Sequence, residues 1–212
     1  MLKFDHITVI APTLRDGVKH VEDCLGLQVP FGVCHDYMGT HNHRLQLGGT
    51  LYLEVVALDP TCPAPNRARW FGLDDQKTIE TEWNAGRRLR GWVAGVESIV
   101  PIITKHPNIF GEHVPLPQCD PEFAFSIAKD GSLPLEGAAP SLIDRYGVPE
   151  NPSDIPDLGA RLETFTLEHP EPEAIKALYS DLAINFPIEV IYGPTIRYTA
   201  KIRTPTGLRE LT

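Results

Sequence analysis

Along residues 4–10 the side chains alternate with a period of two, which predicts a strand buried on at least one face. Asp5, Ile7 and Val9 share one face; Phe4, His6, Thr8 and Ile10 share the other. The period then changes: Leu14, Val18, Val21 and Leu25 recur every three or four residues, the stripe of an amphipathic helix. Thr13 and Asp16 have the spacing of a capping box, and Gly26 suits a left-handed C-terminal cap, so both helix ends are marked. Two more alternating stretches follow at 42–47 and 51–56. Leu45 and Leu47, with Leu51, Leu53 and Val55, make an apolar side for the helix to cover. The opposite side collects His6, Thr8, Asn42, Arg44, Gln46, Tyr52 and Glu54.

The same order of periods returns at the C-terminal end. RLETFTLEHP reads as a strand, Pro172 opens a helix striped by Ile175, Leu178 and Leu182, and PIEVIYG, TIRYTAKIRTP and GLREL follow as strands. A more worn copy lies between them: a strand at 89–96, a helix at 97–105, and strands at 122–128 and 140–146. Such a unit cannot close its own core, and pairing two of them makes a cupped sheet whose hollow is a natural site. The expected organisation is one α+β domain with modules at 1–60, 89–147 and 161–212. Segment 61–88 connects the first two and holds RARWFGLDD and a short helix near 78–85; 148–160 is a linker. Asp130-Gly131 marks a turn, and SLPLEGAAP a long ordered loop.

Composition narrows the partners. The 212 residues carry a net charge of −9 and show no basic run, which argues against a nucleic-acid or anionic-membrane partner and leaves small molecules. The four cysteines form no CxxC or zinc-knuckle pattern and read as free thiols in a reducing compartment. With no leader pattern and no apolar run beyond strand length, a cytoplasmic protein is expected. There is no nucleophile elbow, glycine-rich phosphate loop or HExxH.

His6 and Glu54 stand out, an imidazole and a carboxylate mid-strand on one face. Together they suit a borderline divalent metal, but the spacing alone favours a structural His–Glu hydrogen bond or an exposed strand face. Of the two histidines in GTHNH, His43 shares a side with the leucines, while His41, at the turn into the strand, is better placed for substrate contact than as a ligand. Arg44 is placed to pair with a substrate anion or with Glu54. His35, His106, His113 and His169 fall in loops or at strand ends and read as surface residues. Trp83 and Trp92 read as anchors, and Trp70 as one also able to wall the site.

FDHITVIAPTLRDGVKHVEDCLG, MGTHNHRLQLGGTLYLEVVALDP, RWFGLD and DGSLPLEGAAPSLIDRYG together resemble the glyoxalase-like domain family of the vicinal-oxygen-chelate superfamily. The resemblance implies paired βαβββ modules in an open, cupped mixed sheet, helices outside, around a divalent zinc, nickel, manganese or iron ion. It implies ligands from first and last strands: His6 and Glu54 here, with Asp144 and Glu210 at the last-strand places of the other modules. Gly91 and Thr164 stand at the first-strand places, so the second histidine of a facial triad is not supplied. Glu54 would ligate the ion or serve as base, and Asn42, Arg44, Tyr52, His41 and Trp70 would meet substrate. The implied function is a metal-dependent lyase, isomerase or dioxygenase acting on a small substrate with vicinal oxygens. A metal-free protein that sequesters a small molecule, of the bleomycin-resistance type, is the other reading. Homodimers are common in the superfamily.

Overall fold

Strand β1 (Lys3–Ile10) runs through the middle of an eight-stranded sheet. The structure is a computed structural model that describes residues 2–117, 119, 121–148 and 154–212. Helix α1 (Leu14–Leu25) starts where Thr13 Oγ1 accepts the Asp16 N–H at 3.2 Å and stops at Gly26, φ 68°. Strands β2 (Phe31–His35), β3 (Thr40–Gly48) and β4 (Leu51–Leu58) follow. β4 returns parallel to β1, opposing Tyr52 to His6 and Glu54 to Thr8. Val21 and Leu25 of α1 are fully buried in one core with Leu45, Leu53 and Val55, each contributing about 1.5–3 kcal/mol by leaving water.

Helix α2 (Gln76–Asn84) lies in the connection. The second half of the sheet is β5 (Leu89–Val96), helix α3 (Val100–Lys105), β6 (Glu112–Leu116), β7 (Phe123–Ile127) and β8 (Ser141–Asp144). The full order is β2-β3-β4-β1-β5-β8-β7-β6. β6 is not expected from the sequence, because Pro115 masks it; an edge strand tolerates a proline that a central one would not.

The last set is β9 (Arg161–His169), α4 (Pro172–Leu182), β10 (Ile188–Tyr192), β11 (Arg197–Thr204) and β12 (Gly207–Leu211). It keeps the order of elements but not the pairing. Here the strand directly after the helix lies parallel beside the first strand, giving a separate sheet of order β10-β9-β11-β12. Its apolar face, including Phe165, Leu167, Tyr198 and Ile202, packs into the outer core together with α1, Ile7 and Val9. The second sheet therefore backs the cup and adds nothing to its hollow. The expected linker 148–160 lies partly outside the described residues.

The alternation expected along β1 fails at one residue. Phe4 pairs with Ala94 and His6 with Val93, leaving Asp5 as the extra residue of a β-bulge. Phe4 thus joins Ile7 and Val9 in the outer core, while His6, Thr8 and Ile10 face the cup. Asp5, freed from the alternation, sits beside His6.

A second apolar cluster lines the inner side: Ile10, Met38, Val56, Phe71, Ile79 and Val93 are among its members. α2 therefore turns Ile79 to the cup, the exception to helices on the outer face. A short turn, Trp70–Gly72, packs against the Asp130-Gly131 turn at the wall of the hollow, and a second turn, Pro134–Gly137, follows. The Gly72 N–H donates to the Gly131 carbonyl at 2.7 Å, and a Cβ on Gly131 would lie 2.1 Å from the Arg69 carbonyl oxygen. Leu135 and Glu136 hold positive φ, 46° and 55°, in the second turn. From behind, the Tyr198 hydroxyl donates to the Gly137 carbonyl at 2.9 Å and the Tyr179 hydroxyl to the Ala138 carbonyl at 2.5 Å. Among the described residues no helix is long and apolar enough to cross a membrane.

Candidate functional site

The hollow is a cavity of about 480 Å³, within the range of small-molecule sites. Tyr37, Tyr52, Trp70, Phe71, Phe123 and Phe125 supply broad apolar walls. Its charged lining comes mainly from the first half of the sheet.

A row of alternating charges crosses it. The Asp5 carboxylate accepts Arg145, from just past β8, through both terminal guanidinium nitrogens; Nη2 to Oδ1 is 3.0 Å. Asp5 Oδ1 also takes His6 Nδ1 at 2.6 Å. His6 Nε2 faces Glu54 Oε2 at 3.4 Å, and Asn42 Nδ2 donates to Glu54 Oε1 at 2.7 Å. The row is buried, with Asp5, His6 and Glu54 exposed by 8%, 4% and 6%. Tyr52 stacks on the imidazole, ring centroids 4.4 Å apart.

Burial by itself would lower the His6 pKa. Its hydrogen bonds to Asp5 and Glu54, and their charges, outweigh burial and lift it to about 9. The ring is thus an imidazolium at neutral pH, with both nitrogens donating. Burial would raise the two carboxylates, but the His6 cation, helped by Arg145 at Asp5 and by Asn42 at Glu54, holds both below their ordinary values.

β2 supplies what the sequence reading assigned to the surface. His35 is half-buried and lines the cavity. Its Nδ1 lies 2.8 Å from the Tyr37 hydroxyl and its Nε2 3.5 Å from Asn42 Nδ2. Burial, reinforced by Arg44 and partly opposed by Glu54, lowers its pKa, so the ring is neutral. The only sequence signal was parity: His35 closes a strand, not a loop, and that strand, with no clean alternation, was not marked out.

Of the expected site residues, the fold brings His6, Asn42, Arg44, Tyr52, Glu54 and Trp70 to one cavity. Three others go elsewhere. β3 begins at Thr40, so His41 is already inside the strand; parity turns it away from the cup, and its Nδ1 lies 3.6 Å from Asp59 Oδ2. Asp144 is buried on β8 with Oδ1 taking the Tyr146 N–H at 2.8 Å, while its neighbours Ile143 and Arg145 face the cavity. Glu210 is exposed on β12, in the sheet behind the cup.

This donor set does not fit a divalent ion held by the protein. Such an ion needs about three or four lone pairs from side chains. Only His6 and Glu54 of the expected ligands reach the cavity, both His6 nitrogens already face carboxylates, and the second half offers the Arg145 guanidinium where Asp144 turns away. Among the described residues no three His, Cys, Asp or Glu side chains are grouped to hold a metal.

The cupped sheet built from two βαβββ sets is the architecture of a glyoxalase-like protein. Residues 4–183 match the family model described as glyoxalase-like domain, and the chain belongs to that family. No curated protein matches the chain. A hypothetical protein from Staphylococcus aureus shares the fold at a TM-score of 0.58 with 9% identity, over 100% of this chain and 99% of that one. A variant of Streptomyces coelicolor methylmalonyl-CoA epimerase in complex with 2-nitronate-propionyl-CoA aligns at a TM-score of 0.40 and 16% identity, over 71% of this chain and 100% of that one. Methylmalonyl-CoA epimerase from Mycobacterium tuberculosis aligns at 0.39 and 13%, over 66% and 86%.

Proposed function

We propose that the cup binds a small organic molecule directly on protein groups, in the metal-free manner. The observation that supports this is the commitment of both His6 nitrogens to carboxylates, Asp5 at 2.6 Å and Glu54 at 3.4 Å. A carboxylate has about four lone-pair sites, so Glu54 keeps acceptor capacity beyond Asn42 and His6. It takes a hydroxyl or amine hydrogen of the ligand, and the flat apolar body lies against Trp70, Phe71 and Phe125. Glu54 beside an imidazolium is also the equipment for moving a proton on such a ligand.

A metal-dependent lyase, isomerase or dioxygenase is the second reading. It draws on the 3.4 Å between His6 Nε2 and Glu54 Oε2, since two ligands on one tetrahedral ion stand at about that separation. Elemental mass spectrometry on tag-free protein, before and after incubation with Zn²⁺, Ni²⁺, Mn²⁺ and anaerobic Fe²⁺, separates the two. The metal-free reading expects no stoichiometric retention after dialysis. One ion per chain, lost in both His6→Ala and Glu54→Ala, would establish the second reading instead.

A further inference from the structure

We infer that Tyr37 is a ligand-binding residue of the cup, donating its hydroxyl hydrogen to a carbonyl-type oxygen of the ligand, with His35 as the positioning residue that frees that hydrogen. The inference rests on the cup being a small-molecule site.

The argument follows hydrogens around the wall. The Val33 N–H donates to Asn42 Oδ1 at 2.8 Å, and Asn42 Nδ2 donates to Glu54 Oε1 at 2.7 Å. These two contacts fix which end of the amide is which. The second Nδ2 hydrogen therefore points at His35 Nε2, 3.5 Å away. A hydrogen on Nε2 would set two donors against each other, so Nε2 carries the lone pair. A neutral ring then bears its hydrogen on Nδ1. That hydrogen goes to the Tyr37 oxygen at 2.8 Å, and Tyr37 cannot donate back.

The Tyr37 hydrogen is then not taken by His35, and the neighbouring Cys119 offers only a thiol, a weak acceptor. Tyr37 and Cys119 both line the cavity. A ligand oxygen is a better acceptor than a thiol and takes the hydrogen from it. Burial, and the contact with Cys119, push the phenol's pKa well above its ordinary value, so Tyr37 stays a donor. His6 and Asn42, by contrast, already donate to carboxylates. The ligand class that fits both ends is a hydroxy-carbonyl compound with a flat apolar body, its hydroxyl on Glu54 and its carbonyl on Tyr37.

Two measurements on the full chain test this. The ¹⁵N shifts of the His35 ring at pH 7.5 should show the neutral Nδ1–H tautomer; a neutral Nε2–H ring, or an imidazolium, overturns the inference whatever binds. NMR titrations then compare 4-hydroxyacetophenone with 4-isopropylphenol, which carries a methyl group in place of the carbonyl oxygen. Tyr37→Phe should cut the preference for the ketone about 5- to 10-fold while binding the alkylphenol as wild type does. A merely structural role would weaken both probes together and leave the preference unchanged, which overturns the Tyr37 assignment alone. Failure of both probes to bind wild type at millimolar concentration overturns the small-molecule reading of the cup and the inference with it.

Discussion

The two halves of the eight-stranded sheet are built from the same order of elements and do different work. β1–β4 bring His6, Asn42, Arg44 and Glu54 to the cup, with His35 and Tyr37 beside them. β5–β8 bring Phe123, Phe125 and Ile143, and Arg145 beyond β8, which reaches across to Asp5. Here one half holds most of the polar chemistry, and the other is a mainly apolar wall with the exposed Glu122 and a cation, Arg145, that fixes the first. Repetition of a fold therefore does not repeat a site; which residue types stand at the inward positions decides it.

Cutting the tie between the halves has the largest expected effect. Asp5→Ala leaves the buried His6 and the part-buried Arg145 without their shared carboxylate and should cost about 3–5 kcal/mol, read by denaturant unfolding. Phe125→Ala, in the apolar half, should cost about as much through a cavity but leave the His6 titration in place. If Asp5→Ala were neutral, the cross-sheet tie would be an idle surface contact.

Gly32→Ala disturbs the polar half alone. Its Cβ would stand 2.2 Å from Asn42 Oδ1, so the amide must move off Glu54 and Val33, at about 1–3 kcal/mol, and the His35 tautomer should become mixed. An unchanged His35 spectrum would show that Asn42 does not set it.

His6 gives a pH signature. Its pKa is raised in the fold, to about 9 from 6.5, so its stabilisation is complete below about pH 6.5 and is lost as pH rises through 9. Unfolding free energy should fall across that window, and His6→Gln should flatten the slope. A slope of opposite sign would mean that burial outweighs the two carboxylates.

The smallest effect sharpens the contrast between cup and backing sheet. Glu210→Ala should change stability by no more than about 0.5 kcal/mol and leave probe binding unaltered. Weakened probe binding would place β12 in the site.

The helix of the first set was legible because caps and period agree: Thr13, the stripe to Leu25 and Gly26 each point to it. The inward faces of β3 and β4 followed from alternation, so Asn42, Arg44, Tyr52 and Glu54 were readable as neighbours. Other features were not. The bulge at Asp5 is a pairing property: it appears only when β5 lies alongside, and it moves Phe4 outward and Asp5 to His6. His35 was hidden because FGVCH has no clean period. Glu210 was misplaced because the last set repeats the order of elements with a different strand pairing, which no local pattern records.

The central claim is that His6 is an imidazolium held between two carboxylates and not a metal ligand. The most direct test is the ¹⁵N spectrum of the His6 ring at pH 7.5, with and without one equivalent of Zn²⁺. Both nitrogens protonated, with shifts untouched by zinc, is the expected result. A neutral ring whose Nε2 shifts when zinc is added would contradict it.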